Sequence, residues 1–264
     1  MTGICELKSF TSNTVVITNL GQEVNPGSIM LLNVNDAPPE RNVPHIPLNC
    51  ISRVFERNRR PVLCVAENSS IELTAYGSSG EFYVINWESP KKKQCFKIPQ
   101  KTDVLSQSVL GPSGSSLLAN GCRNGSIYLF DIRSQQCSTH FTTLNVRSPF
   151  TCVKPMDNDY TFVTSSLNGN IDVWDIRNSK HSLHTLASSN TIKPYRFDMY
   201  RNSIVSVSDD GWLRSWDAIS GVLLIAKRLY DVVEERIFTS SHESDGQMGL
   251  CIAGKHGIDY LSCF

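Results

Sequence analysis

Short apolar stretches alternate along the chain with polar turns, and the alternation repeats. Six of the stretches open on a glycine: GSIMLLNV (27–34), GEFYVINW (80–87), GSIYLFDI (125–132), GNIDVWDI (169–176), GWLRSWDA (211–218) and GIDYLSCF (257–264). Six residues after each glycine stands Asn33, Asn86, Asp131, Asp175, Asp217 or Cys263, at intervals of 53, 45, 44, 42 and 46 residues. A period of about 40 to 45 residues is that of a four-stranded propeller blade. The glycine has a physical role, because a tight turn between antiparallel strands needs a positive φ that only glycine adopts without a Cβ clash. A second apolar run precedes each glycine (TVVITNL, IELTAYG, SLLANGC, YTFVTSS, SIVSVS, GLCIAG), and two more follow most of the stretches. Four short strands per period, with no helical stripe in any fifteen-residue window, predict an all-β chain. Residues 1–264 read as one propeller domain whose third strands lie near the six stretches.

The enlarged first interval holds NDAPPERNVPHIP (35–47), too rich in proline for a central strand, and reads as a loop inserted after the first repeat's third strand. It is taken as tolerated surface, with partner binding as the alternative. The segment ICELKSF (4–10) fits the first strand of repeat one, and no fourth strand follows Phe264. Six repeats with that position unfilled predict that N-terminal sequence is missing. An open sheet edge of that kind is prone to aggregate.

Composition narrows the function. Lys plus Arg and Asp plus Glu each number 25, so no net field draws the chain to nucleic acid or anionic lipid. The nine cysteines are scattered, odd in number and never spaced C-x-x-C, which argues against a zinc site or a disulfide framework and for a reducing compartment, nuclear or cytoplasmic. No apolar stretch is long enough for a membrane span. His45, His140, His181, His184, His242 and His256 have no metal-ligand spacing, and neither a nucleophile elbow nor a phosphate-binding glycine loop occurs. No cofactor or metal is therefore expected and no catalysis, although carboxylates converging on a central funnel stay open as an arrangement. The basic runs RNRRP (57–61) and SPKKKQ (89–94) read as solvated loops, with nucleic-acid or histone-tail contact as the lesser alternative.

The endings LFDIR (129–133), VWDIR (173–177) and SWDA (215–218), with SDDG (208–211) in a preceding turn, resemble the WD40-repeat family over nearly the whole chain. With N-terminal sequence missing, that resemblance implies the C-terminal part of a seven-bladed propeller. The family's polar set joins a turn aspartate, a strand Ser or Thr, a Gly-His histidine and the tryptophan. Here Asp210, Trp216 and Asp217 match structural positions. The other turn positions hold Pro26, Ser79, Asn124, Asn168 and His256, and no Gly-His dipeptide occurs. Incomplete polar sets leave stability to apolar stacking between blades. The runs TDVLSQSV, NGCRNGSIYLFDIR, NGNIDVWDIR and GLCIAGKHGIDYLSCF are similar to the WD-repeat factors associated with cullin-four ubiquitin ligases.

That resemblance implies a substrate receptor that docks on the ligase's β-propeller adaptor through Trp-Asp-x-Arg boxes and recruits an unknown substrate protein. The positions that match are Asp131 and Arg133 in one repeat, and Trp174, Asp175 and Arg177 in the next. Arginine suits such a place, because its planar fork of donors pairs with carboxylates or carbonyls across an interface. The plainer alternative is an exposed arginine paired with its own aspartate, worth little. The repeat ending Asp217-Ala218-Ile219 lacks the arginine and is not expected to contribute. A scaffold or peptide-reading propeller without a ligase is the alternative function.

Overall fold

The computed structural model describes the backbone of residues 4–11, 14–19, 27–33, 51–56, 62–68, 73–87, 93–112, 115–142, 147–186, 197–208, 210–229, 238–244, 247–254 and 257–263. Side chains are described for 14, 27–33, 62–66, 75–87, 93–112, 115–142, 147–186, 197–208 and 210–229.

Among the described residues, twenty-three strands form six antiparallel sheets, and each sheet is one blade. Blade one contains β1 (Ile4–Thr11), β2 (Thr14–Asn19), β3 (Ser28–Asn33) and β4 (Ile51–Glu56). Blade two contains β5 (Cys64–Asn68), β6 (Leu73–Gly77), β7 (Glu81–Asn86) and β8 (Gln94–Lys97). Blade three contains β9 (Val104–Leu110), β10 (Leu117–Cys122), β11 (Ser126–Asp131) and β12 (Gln136–Thr142). Blade four contains β13 (Phe150–Pro155), β14 (Thr161–Ser166), β15 (Ile171–Asp175) and β16 (His184–Leu186). Blade five contains β17 (Phe197–Tyr200), β18 (Ser203–Val207), β19 (Trp212–Asp217) and β20 (Leu223–Arg228). Among the described residues the last sheet contains β21 (Phe238–Ser244), β22 (Gln247–Gly254) and β23 (Gly257–Cys263). The glycine-led stretches are the third strands, and the segment at residue 4 is the first strand of blade one. The proline-rich segment falls between β3 and β4, outside the described residues.

The turn glycines behave as strand reversal requires. Gly125 has φ 77, and a Cβ there would sit 2.9 Å from the backbone nitrogen of Ser148 in the next blade. Only a residue without a side chain fits both the conformation and the contact.

Successive blades meet through their first strands, β1 on β5, β5 on β9, β9 on β13, β13 on β17 and β17 on β21. Inner blades are covered on both faces, which is why β11 and β15 are buried along nearly their whole length instead of alternating. In β11, Tyr128 and Phe130 pack toward blade two with Phe82 and Phe96, whereas Ile127 and Leu129 pack toward blade four with Phe162 and Trp174. Each described core cluster fills one seam: Ile29 with Tyr76 between blades one and two, and Val173 with Trp216 between blades four and five.

Fourth strands close these seams from outside. Phe96 pairs in register with Phe82, Phe141 with Ile127 and Leu186 with Ile171, and all three outer residues are buried. Phe141 stands edge-on to Phe162 at 5.3 Å and to Trp174 at 5.7 Å, both on blade four. The same register position in β20 is Lys227, opposite Leu213, and every residue of β20 is exposed.

Polar links in the blades are partial, as the missing Gly-His pairs predict. Trp174 Nε1 donates to Thr164 Oγ1 at 2.9 Å, preserving the tryptophan–threonine link of blade four. At the turn positions, Ser79 donates to Asp103, Ser166 donates to Asn168, and Asp210 binds Arg214. The five described cysteines are thiols outside any disulfide. Cys64, Cys122 and Cys152 are buried on β5, β10 and β13, and Cys95 and Cys137 are exposed on β8 and β12. Burial pushes the Cys122 thiol far up, so it behaves as a small apolar residue.

Candidate partner-binding rim

Three consecutive third strands, β11, β15 and β19, end in aspartate at the same end of their blades. Each aspartate organises the turn that follows by one repeated pattern. The Oδ1 of Asp131 accepts the backbone N–H of Arg133, that of Asp175 accepts from Arg177, and that of Asp217 accepts from Ile219, each at 2.9 Å. The intervening residue is held equally in all three. Ile132 N–H donates to the Ser116 carbonyl at 2.9 Å, Ile176 N–H to Tyr160 at 2.8 Å, and Ala218 N–H to Asn202 at 2.8 Å. An aspartate bonding the backbone two residues ahead is a stable turn device, and its repetition places Arg133, Arg177 and Ile219 at equivalent points of one rim.

The two guanidiniums differ in how firmly they are held. Arg133, its side chain 81% exposed, approaches Asp131 with only Nε at 3.5 Å. Arg177, 64% exposed, binds Asp175 through Nε at 2.9 Å and Nη2 at 2.5 Å, and its guanidinium carbon lies 4.6 Å from the ring centre of Tyr160. A cation–π contact and a two-point ion pair hold the group in place. The Arg177 guanidinium and backbone N–H hold the Asp175 carboxyl below the usual carboxylate range, and Asp175 in turn raises Arg177. The backbone N–H of Arg133 and the Ser116 hydroxyl lower Asp131. Both ion pairs join a residue to its own blade.

Trp174 is corrected by the structure. Expected at the interface, it is 1% exposed inside the seam between blades three and four, where its indole packs with Phe141 and Phe162. It cannot touch a partner there. The backbone alternation that aims Asp175 and the turn outward leaves the preceding residue facing the neighbouring blade. Asp175 is itself only 12% exposed and orients Arg177 from below. Asp217, lowered by the Ser220 N–H and hydroxyl, caps its turn, and Trp216 packs in the seam between blades four and five. Partial burial pushes the Asp210 carboxyl up, but the Arg214 side chain and the Trp212 N–H outweigh it and leave the carboxyl below its ordinary value.

Tyr160 is the residue that sequence reasoning missed. It lies 17 positions before Arg177, in the turn between β13 and β14, and only the hairpin register brings the two together.

Of the other candidates, His184 Nε2–H donates to the Ile219 carbonyl at 2.8 Å, and His140 stacks on Tyr128. No group of three or more potential metal ligands occurs among the described residues. The run at 57–61 and most of that at 89–94 lie outside the described residues, and Lys93 sits 5.2 Å over the Tyr83 ring. No described helix is long and apolar enough to cross a membrane.

No protein-family model matches the chain. Among curated proteins it is 33% identical over 102 residues to the U5 small nuclear ribonucleoprotein 40 kDa protein of Dictyostelium discoideum, covering 39% of this chain and 28% of that protein. It is 30% identical over 129 residues to the DDB1- and CUL4-associated factor 4 of Bos taurus, covering 47% of this chain and 25% of that protein. It is 27% identical over 129 residues to the human DDB1- and CUL4-associated factor 4-like protein 2, covering 47% and 32%. The matched region thus spans about a quarter to a third of each relative's length. These likenesses, with six successive antiparallel sheets, three of whose third strands end in a capping aspartate, are consistent with blades of a WD40-type β-propeller.

Proposed function

We propose that the chain is a non-catalytic interaction module, the substrate receptor of a cullin-four RING ubiquitin ligase, which docks on the DDB1-type β-propeller adaptor through Arg133 and Arg177. The observation that carries this reading is the pair of Asp-x-Arg turns on consecutive blades, both heads exposed and built by the same hydrogen bonds. Two relatives whose names state DDB1 and CUL4 association support it. An arginine already held in place loses little freedom on binding and keeps outward N–H groups for carboxylates or carbonyls. The substrate is recruited elsewhere on the chain, and ubiquitin transfer is the work of a partner enzyme. Recovery of the adaptor with the wild-type chain and with Arg133→Ala/Arg177→Ala tests the reading. Strong loss is expected, and undiminished recovery removes the arginines from the mechanism.

A second reading is a scaffold without ligase association, favoured by the likeness to a ribonucleoprotein component and by the pairing of both arginines with their own aspartates. Affinity purification that returns neither adaptor nor cullin supports this alternative.

A further inference from the structure

We infer that the rim carries a third contact at Ile219, and that apolar side chains of blade five extend the adaptor surface beyond the two arginines. This rests on the reading above. It also revises the expectation that the repeat lacking an arginine stays silent.

Ile219 stands where Arg133 and Arg177 stand in the two preceding blades, two residues past the capping aspartate and with the same 2.9 Å bond to it. Its side chain cannot fold back on the aspartate as the arginines do, and the residue is 61% exposed. Val222 and Leu223 beside it are 56% and 49% exposed, and Tyr160 and Leu183 are similarly open on blade four. Leu224 and Ile225 continue the apolar run down β20, and among the described residues Leu167, at the opposite end of its blade, is the one exposed large apolar residue outside this group. Apolar groups gathered on one rim, next to oriented guanidiniums, mark a contact surface and not the scattered exposure normal for a soluble protein.

The surface is also held in shape across two blades. The His184 ring bonds the Ile219 carbonyl at 2.8 Å, and Gly221, at φ 72, lies so close that a Cβ would be 3.2 Å from that ring. A rim fixed before binding costs less to order. The sequence of groups, guanidinium, guanidinium, then branched alkyl, describes the partner: a protein face with carboxylate or carbonyl acceptors that gives way to an apolar patch. A polyanion such as nucleic acid would instead gain from a third cation where Ile219 stands.

The test titrates the immobilised adaptor propeller with the full chain as wild type, Ile219→Asp, Val222→Asp, Ile219→Leu, Leu167→Asp and Arg133→Ala/Arg177→Ala, each first checked for a wild-type thermal melt. Ile219→Asp and Val222→Asp should each weaken binding by about tenfold or more, the range of buried apolar anchors, whereas Ile219→Leu and Leu167→Asp should bind as wild type. If the arginine variant loses binding while both aspartate variants keep it, the extended surface is overturned and the docking reading stands. If the arginine variant binds as wild type, or the wild type does not bind, the docking reading itself fails and this inference with it. Self-association abolished by Ile219→Asp, with adaptor binding unchanged, would also overturn it, by assigning the patch to a second copy of the chain.

Discussion

Replacing Phe141 with alanine removes the ring that closes the seam between blades three and four. The ring is fully buried and meets Phe162 and Trp174 edge-on at 5.3 and 5.7 Å. Truncating a buried phenylalanine costs about 3–5 kcal/mol through lost transfer energy and the cavity left behind. Edge-on aromatic pairs contribute about 0.5–1.5 kcal/mol each beyond buried area, which places Phe141 toward the upper end of that range. Folded domains hold only about 5–15 kcal/mol in total, so the loss is a large fraction of the whole. Urea unfolding followed by tryptophan fluorescence reads it as a lower midpoint at unchanged slope. Lys227→Ala, at the same register position on exposed β20, should change stability by no more than about 0.5 kcal/mol. Phe96 lies in a different seam cluster, so the Phe96→Ala/Phe141→Ala variant should lose the sum of the single losses within about 0.5 kcal/mol. A loss below about 1 kcal/mol for Phe141→Ala, or equal effects at Phe141 and Lys227, would refute the claim that outer-strand rings hold the seams.

Gly125→Ala should destabilise by more than about 1 kcal/mol, since φ 77 strains any side chain and the new Cβ meets backbone of the next blade at 2.9 Å; a thermal melt matching wild type would contradict this. Asp172 is 2% exposed, with Oδ1 taking the Thr185 hydroxyl at 2.6 Å and Oδ2 without a hydrogen-bond partner, and burial raises its carboxyl above the ordinary 3.8. A raised folded-state value means the fold favours the protonated acid, so its contribution is present below the unfolded value and is lost as pH rises. Asp172→Asn should therefore gain stability relative to wild type between about pH 4 and 7, and melting curves that shift in parallel across that window would contradict the assignment.

The blade period was legible because one local rule, a glycine that reverses the chain followed by a short apolar strand, recurs at each third strand. The capped turns were legible too, since an aspartate at a strand end carries its geometry within two residues. What could not be read locally was anything set by register between strands or by contact between blades. Trp174 looked like part of a docking box until the blade-three ring of Phe141 was seen against it, and Tyr160 reaches Arg177 only through a hairpin. Ile219 was passed over because its residue type differs from the arginines, although its backbone setting is the same. Residue identity carried the motif, and backbone position carried the surface.

The buried thiols on the inner half of blades two, three and four, Cys64, Cys122 and Cys152, have a practical consequence. Each is a native chemical clock for its own blade. In a chain whose exposed Cys95 and Cys137 are first changed to serine, pulsed alkylation followed by peptide mass mapping would time the transient opening of three successive sheets separately, showing whether the blades open one by one or as a unit.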